Sequence, residues 1–203
     1  MCPGGIIAPC ATNNDEVVTN GWSPSKRNNE FANSGIVVPV YPEDAIEFKE
    51  FGPLAGLKFR SSIEYKAWKL GGENQTAPAQ RLVDFMKDKK SKDLPACSYT
   101  PGIVSVNLRE LLPNFIITSL KRSFKLWAKR MPEFLHKDAV LVGVETRTSS
   151  PVRIPRDKES LEHTHLKGLY PCGEGAGYAG GIISAAIDGE RCAEAITIKV
   201  DAA

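Results

Sequence analysis

Apolar positions change their spacing along the chain, and the changes divide it into elements. Short β-branched runs at Gly5–Pro9, Glu16–Thr19 and Gly35–Tyr41 are separated by Asn, Gly, Ser and Pro, which predicts strands joined by hairpins and loops. Leu54, Leu57, Ile63, Ala67 and Leu70 then fall near a 3.6-residue period, and Gly71-Gly72 closes that helix as a C-cap. Pro78 suits the start of a second helix over Ala79–Lys87. Residues 92–106, with Pro95 and Pro101-Gly102, read as a loop. Asn107 caps a short helix through Leu112, and Pro113 opens a longer one to about Met131 with Phe115, Ile116, Leu120, Phe124, Trp127 and Ala128 as its apolar stripe. Ala139–Glu145 reads as a strand paired with Val152–Ile154. A short strand at Gly168–Tyr170, a glycine turn and a small-residue helix from about Gly181 end the pattern. The whole is an α/β fold.

Composition narrows the function classes. A net charge of +2 points to no polyanionic partner, and the basic run Lys87–Lys92 lacks the aromatics that base stacking uses, so no nucleic acid is expected. The basic residues of the 113–131 helix read as the wet face of a core helix rather than a membrane surface. No apolar run approaches the ~20 residues a membrane span needs. The five cysteines, Cys2, Cys10, Cys97, Cys172 and Cys192, are odd in number and form no C-x-x-C, which suits a reducing compartment. His163-x-His165 without a third ligand nearby reads as a turn, and no metal is expected.

The chemistry concentrates at Gly173–Ile182, where Gly173, Gly175, Gly177, Gly180 and Gly181 alternate with Glu174, Ala176, Tyr178 and Ala179. Glycine lacks the Cβ that would hold a ligand away, and the first N–H groups of the following helix have no partner inside it. Ser184, Ala185 and Ala186 let that helix lie close to a sheet or cofactor. A tight structural turn asks for fewer glycines. Read literally, Gly175, Gly177 and Gly180 spell G-x-G-x-x-G, with Asp201 at the distance of a ribose-binding acid and a strand at 196–200. Pro171 sits badly in the central strand such an NAD site requires. Upstream, Arg147, Ser149 and Arg153 offer donors for an anionic substrate or a pyrophosphate. Cys2, in Met1-Cys-Pro-Gly-Gly5, is the one catalytic candidate.

The tract resembles the C-terminal flavin-contacting segment of the uncharacterised FAD-dependent dehydrogenases, large two-domain flavoproteins related to the NAD(FAD)-utilising dehydrogenases. Other stretches that resemble the family, in the same order, are MCPGG at 1–5, SKRNNEFANSGIVV at 25–38, APAQR at 77–81, LRELLP at 108–113 and ETRTSSPVRIPRD at 145–157. The resemblance implies that Glu174 binds the ribityl chain and that Gly180-Gly181 opens a helix at the flavin's pyrimidine edge. It places Cys2 near the flavin. The family's own G-x-G-x-x-G lies earlier in its sequence and is missing here, so the chain resembles the second half of a flavoprotein.

The expectation is therefore the C-terminal portion of an FAD-dependent oxidoreductase, with 1–138 an inserted substrate-side α+β domain and 139–203 the last part of a Rossmann-like FAD domain. The isolated chain is expected to be inactive. The rival is a shortened, non-enzymatic binding module. A small-molecule substrate, a homodimer through an exposed sheet edge, and a cytoplasmic location, or a plastid stroma given an upstream transit peptide, complete the expectation.

Overall fold

The structure, a computed structural model, describes residues 3–201. They contain helices and two small sheets, an α/β fold in which the chain forms two compact units. One unit takes residues up to Tyr41 together with Phe59–Thr146, and the other takes Pro42–Lys58 together with Arg147 onward.

In the first unit β1 (Ile6–Pro9) and β2 (Thr19–Trp22) pair antiparallel, with Ile6 opposite Trp22. Ahead of β2, Val17 and Val18 are fully buried, and backbone bonds run from Val17 to Glu64 and from Thr19 to Val144. The expected strand at Gly35–Tyr41 does not form.

Helix α1 (Ala55–Leu70) follows the anticipated period and ends at Gly71-Gly72, where Gly72 takes φ +94° and Glu73 donates back to Trp68. The expected helix at Ala79–Lys87 is replaced by β3 (Ala77–Arg81) and a short α2 (Leu82–Met86). β3 is the central strand of a second sheet, parallel to β4 (Ile103–Ser105) and antiparallel to β5 (Val140–Val142). Pro78 is tolerated there because Ala77 and Ala79 make the bonds toward β4, while toward β5 Pro78 needs only its carbonyl, which accepts from Gly143 at 2.9 Å. The missing donor falls where that ladder ends.

Asn107–Leu112 forms hydrogen-bonded turns instead of a helix, with the Asn107 side chain and carbonyl accepting from Arg109 and Glu110. The long helix forms as α3 (Asn114–Arg130). It buries Ile117, Leu120 and Phe124, a stripe rotated slightly from the anticipated one. Phe124 meets Phe85 edge-on at 6.2 Å, and the same cluster takes in Leu82, Leu108 and Leu111.

The second unit holds 3-10 turns over Pro42–Leu54, the loops from Arg147, and α4 (Ile182–Asp201). Val152–Ile154 forms no strand, since Ile154 donates instead to Ala176 at 3.1 Å. Gly168–Tyr170 is a turn and extended loop, Gly168 having φ +78°. Residues 196–200 are helical, which removes the strand on which the literal NAD reading depended. Among the described residues no helix is long and apolar enough to cross a membrane.

Candidate functional site

The glycine tract is held by a buried ion pair. Arg156 and Asp188, each about nine-tenths buried, meet at 2.6 Å and 3.0 Å, one guanidinium nitrogen to each carboxylate oxygen. Arg156 also donates to the Pro171 carbonyl at 2.7 Å, and Asp188 accepts from the Gly173 N–H at 2.9 Å. The guanidinium holds the Asp188 carboxyl below the usual carboxylate range, helped by the Gly173 N–H, while Asp188 pushes Arg156 up. One pair thus fixes both ends of the entry to the tract against α4.

Beyond that entry the backbone turns twice. Gly173 takes φ +73° and accepts from Tyr178, and Glu174 accepts from Gly177 at 2.9 Å. Gly177 takes φ +84°, and a Cβ there would sit 2.7 Å from the Val152 carbonyl, so glycine is required by the fold. The Tyr178 hydroxyl donates to Ile154 at 2.8 Å, and the guanidiniums of Arg153 and Arg156 lie over its ring at 4.4 Å and 3.6 Å.

Gly175, Gly180 and Gly181 differ. None has a positive φ, and a Cβ on any of them would meet nothing within 4 Å. Internal packing does not explain them. They lead into α4, whose first residues Ile182 and Ile183 are 89% and 72% exposed, and whose Ser184 hydroxyl accepts from the Gly180 N–H at 3.3 Å. The tract is open at the start of a twenty-residue helix, where unpaired N–H groups and the positive end of the dipole meet. This is the condition under which a cofactor approaches bare backbone.

Of the donors anticipated upstream, Arg153 reaches the tract through Tyr178, Arg147 is half-buried, and Ser149 is exposed. The neighbouring Ser150 makes the connection, its hydroxyl 2.8 Å from the Val152 carbonyl and 3.1 Å from that of Gly175. Cys2 lies outside the described residues. Arg156 and Asp188, which organise the site, went unnoticed in the sequence. Arg156 looked no different from Arg153, and Asp188 lies in a helix read only for its small residues.

The other family-like stretches of the first unit have internal reasons. Gly4 takes φ +59°, and a Cβ on it would strike the Arg27 backbone; one on Gly5 would sit 2.5 Å from the Asn33 amide. Asn33 donates to Ile6 at 2.9 Å, so the glycines near the start interlock with 27–33. In APAQR, buried Gln80 donates to Lys89 and accepts from Leu108, and Arg81 reaches Asp93 and Asp138. His163 caps the turn after it, accepting from His165 and Leu166. Among the described residues no group of three or more His, Cys, Asp or Glu could hold a metal ion.

The family comparison places the chain among the flavoprotein-related domains. The chain is a member of the family described as FAD-dependent protein, C-terminal domain-like, whose model matches residues 1–148. It is similar to an uncharacterized protein of Clostridium beijerinckii, 46% identical over 203 residues, an alignment covering 99% of this chain and 37% of that protein. The chain therefore spans little more than a third of the relative's length. The family match stops short of the glycine tract, which is covered by the relative.

Proposed function

We propose that the chain supplies the C-terminal part of an FAD-dependent oxidoreductase, in which Gly173–Ile182 meets the flavin. In this reading residues 1–138 lie on the substrate side and 139–203 complete the cofactor domain. Glu174 holds the ribityl chain, Gly180 lets the ring approach, and the backbone at Gly181 and Ile182 presents N–H donors to the pyrimidine edge, where they stabilise negative charge on the reduced ring. Arg147, Ser149 and Arg153 provide cationic and hydroxyl donors for an anionic substrate or the cofactor's pyrophosphate. The flavin, when bound, supplies the electron or hydride transfer. The chain's own work is placement.

The supporting observation is that Gly175, Gly180 and Gly181 have no steric cause among the described residues. A ligand lying against the backbone supplies the cause. The test is FAD binding, followed by flavin fluorescence, to the purified chain and to the longer Clostridium relative. A Gly180→Val variant, and valine at the aligned glycine of the relative, are expected to weaken binding by about tenfold or more, equivalent to ~1.4 kcal/mol, with thermal stability retained. Flavin that binds equally well to both forms overturns the reading. A colourless relative that FAD leaves unchanged favours the second reading, a non-enzymatic module.

A further inference from the structure

Two cysteines flank the ion pair that holds the tract. Cys172 lies between Pro171, whose carbonyl accepts from Arg156 at 2.7 Å, and Gly173, whose N–H donates to Asp188 at 2.9 Å. Its backbone is anchored on both sides. Cys192 sits one helical turn beyond Asp188, on the same face of α4, with its Sγ 3.4 Å from Arg156 Nη1. Arg156 Nη1 thus reaches both the Pro171 carbonyl and the Cys192 sulfur, which brings Cys172 beside the turn of α4 that carries Cys192, and both thiols are free. Cys172 is exposed and Cys192 is 4% exposed, so one is reachable from solvent and the other is not.

We propose that Cys172 and Cys192 form a redox-active dithiol, which a hydroperoxide converts to an intramolecular disulfide tying the entry of the glycine tract to α4. The exposed Cys172 sulfur attacks the peroxide oxygen. The O–O bond breaks, water leaves (an alcohol for an organic peroxide), and Cys172 becomes a sulfenic acid. The Cys192 sulfur then attacks the Cys172 sulfur; the S–O bond breaks, the S–S bond forms and a second water leaves. Two electrons and the two thiol hydrogens pass to the peroxide. Burial pushes the Cys192 thiol up, with Asp188 and Cys172 acting in the same direction and Arg156 opposing. The Arg156 guanidinium, 3.4 Å from the Cys192 sulfur, counters that effect by favouring negative charge on the sulfur as it attacks.

A clipped entry would restrict the motion of Gly173 relative to α4 and so make access to the tract depend on oxidation. The dithiol itself requires no flavin, so its chemistry is tested separately from the proposed function. Reduced full-length chain is treated with hydrogen peroxide, blocked with an alkylating agent and digested without reductant. The expected result is one peptide pair joined through Cys172 and Cys192, with the mass of two hydrogens lost. Cys192→Ser should leave Cys172 as a sulfenic acid trapped by dimedone, and Cys172→Ser should leave Cys192 reduced. Wild-type chain that accumulates dimedone-labelled Cys172, or joins it to Cys10, Cys97 or a second molecule in place of Cys192, overturns the proposal. The wild-type map decides the question even where a variant fails to fold.

Discussion

Glycines in this chain serve two purposes, and substitution separates them. Gly177→Ala forces a side chain into φ +84° and against the Val152 carbonyl, and is expected to cost about 1–3 kcal/mol in urea unfolding. Gly175→Ala meets neither obstacle and should change stability by no more than ~0.5 kcal/mol while reducing flavin affinity. Asp188→Asn strips the charge from a pair in which Arg156 remains buried, with an expected loss of about 3 kcal/mol. Hydrogen exchange should report it first at Gly173, whose N–H loses a charged acceptor. Each of these roles depends on φ or on a neighbour far along the chain. That is why Gly175 and Gly177 looked equivalent in the sequence, and why Arg156 passed unnoticed beside Arg153.

At the scale of elements, periodicity carried far where burial was one-sided and failed where it was not. Helices α1 and α3 were legible because each alternates a wet and a dry face at helical spacing, and α4 because small residues follow a glycine turn. β3 was not, since Ala77, Pro78, Ala79 and Gln80 are all buried and show no alternation, and Pro78 suggested a helix start. The strand's weight rests on Gln80: Gln80→Leu leaves the Leu108 N–H and the Lys89 carbonyl unpaired, and a loss of about 2–3 kcal/mol is expected in urea unfolding. In α4, Ile182, Ala186, Gly189, Ala193, Ile196 and Val200 fall along one side, and Ile182, Ile196 and Val200 are well exposed. Replacing Ile196 and Val200 together by Glu should lower binding of a hydrophobic dye and leave stability within ~0.5 kcal/mol of wild type.

For the whole molecule the charge pattern sets an acid limit. Asp188 is held below its ordinary value by Arg156, Asp88 by Lys121 and then Arg109, Asp157 by the backbone and hydroxyl of Ser160, and Glu162 by Lys199 and the Gly168 N–H. Because these folded values lie below the unfolded ones, their contribution is complete above the unfolded range near ~4 and is lost as pH falls through the folded values. Glu145 runs the other way: burial raises it, so its contribution is present in acid and disappears as pH rises through the raised value. Urea stability should therefore fall steeply below about pH 4, and more gently in Asp188→Asn, where the buried member of the set no longer titrates.

The proline in β3 has a further consequence. If β3 slid one residue along β4, a nitrogen without hydrogen would stand where an alanine now donates, and Gln80 would leave the place from which it reaches both Lys89 and Leu108. An atom the chain lacks thus rules out the neighbouring alignment of the sheet, and the connections running from it to the rest of that unit inherit a single setting.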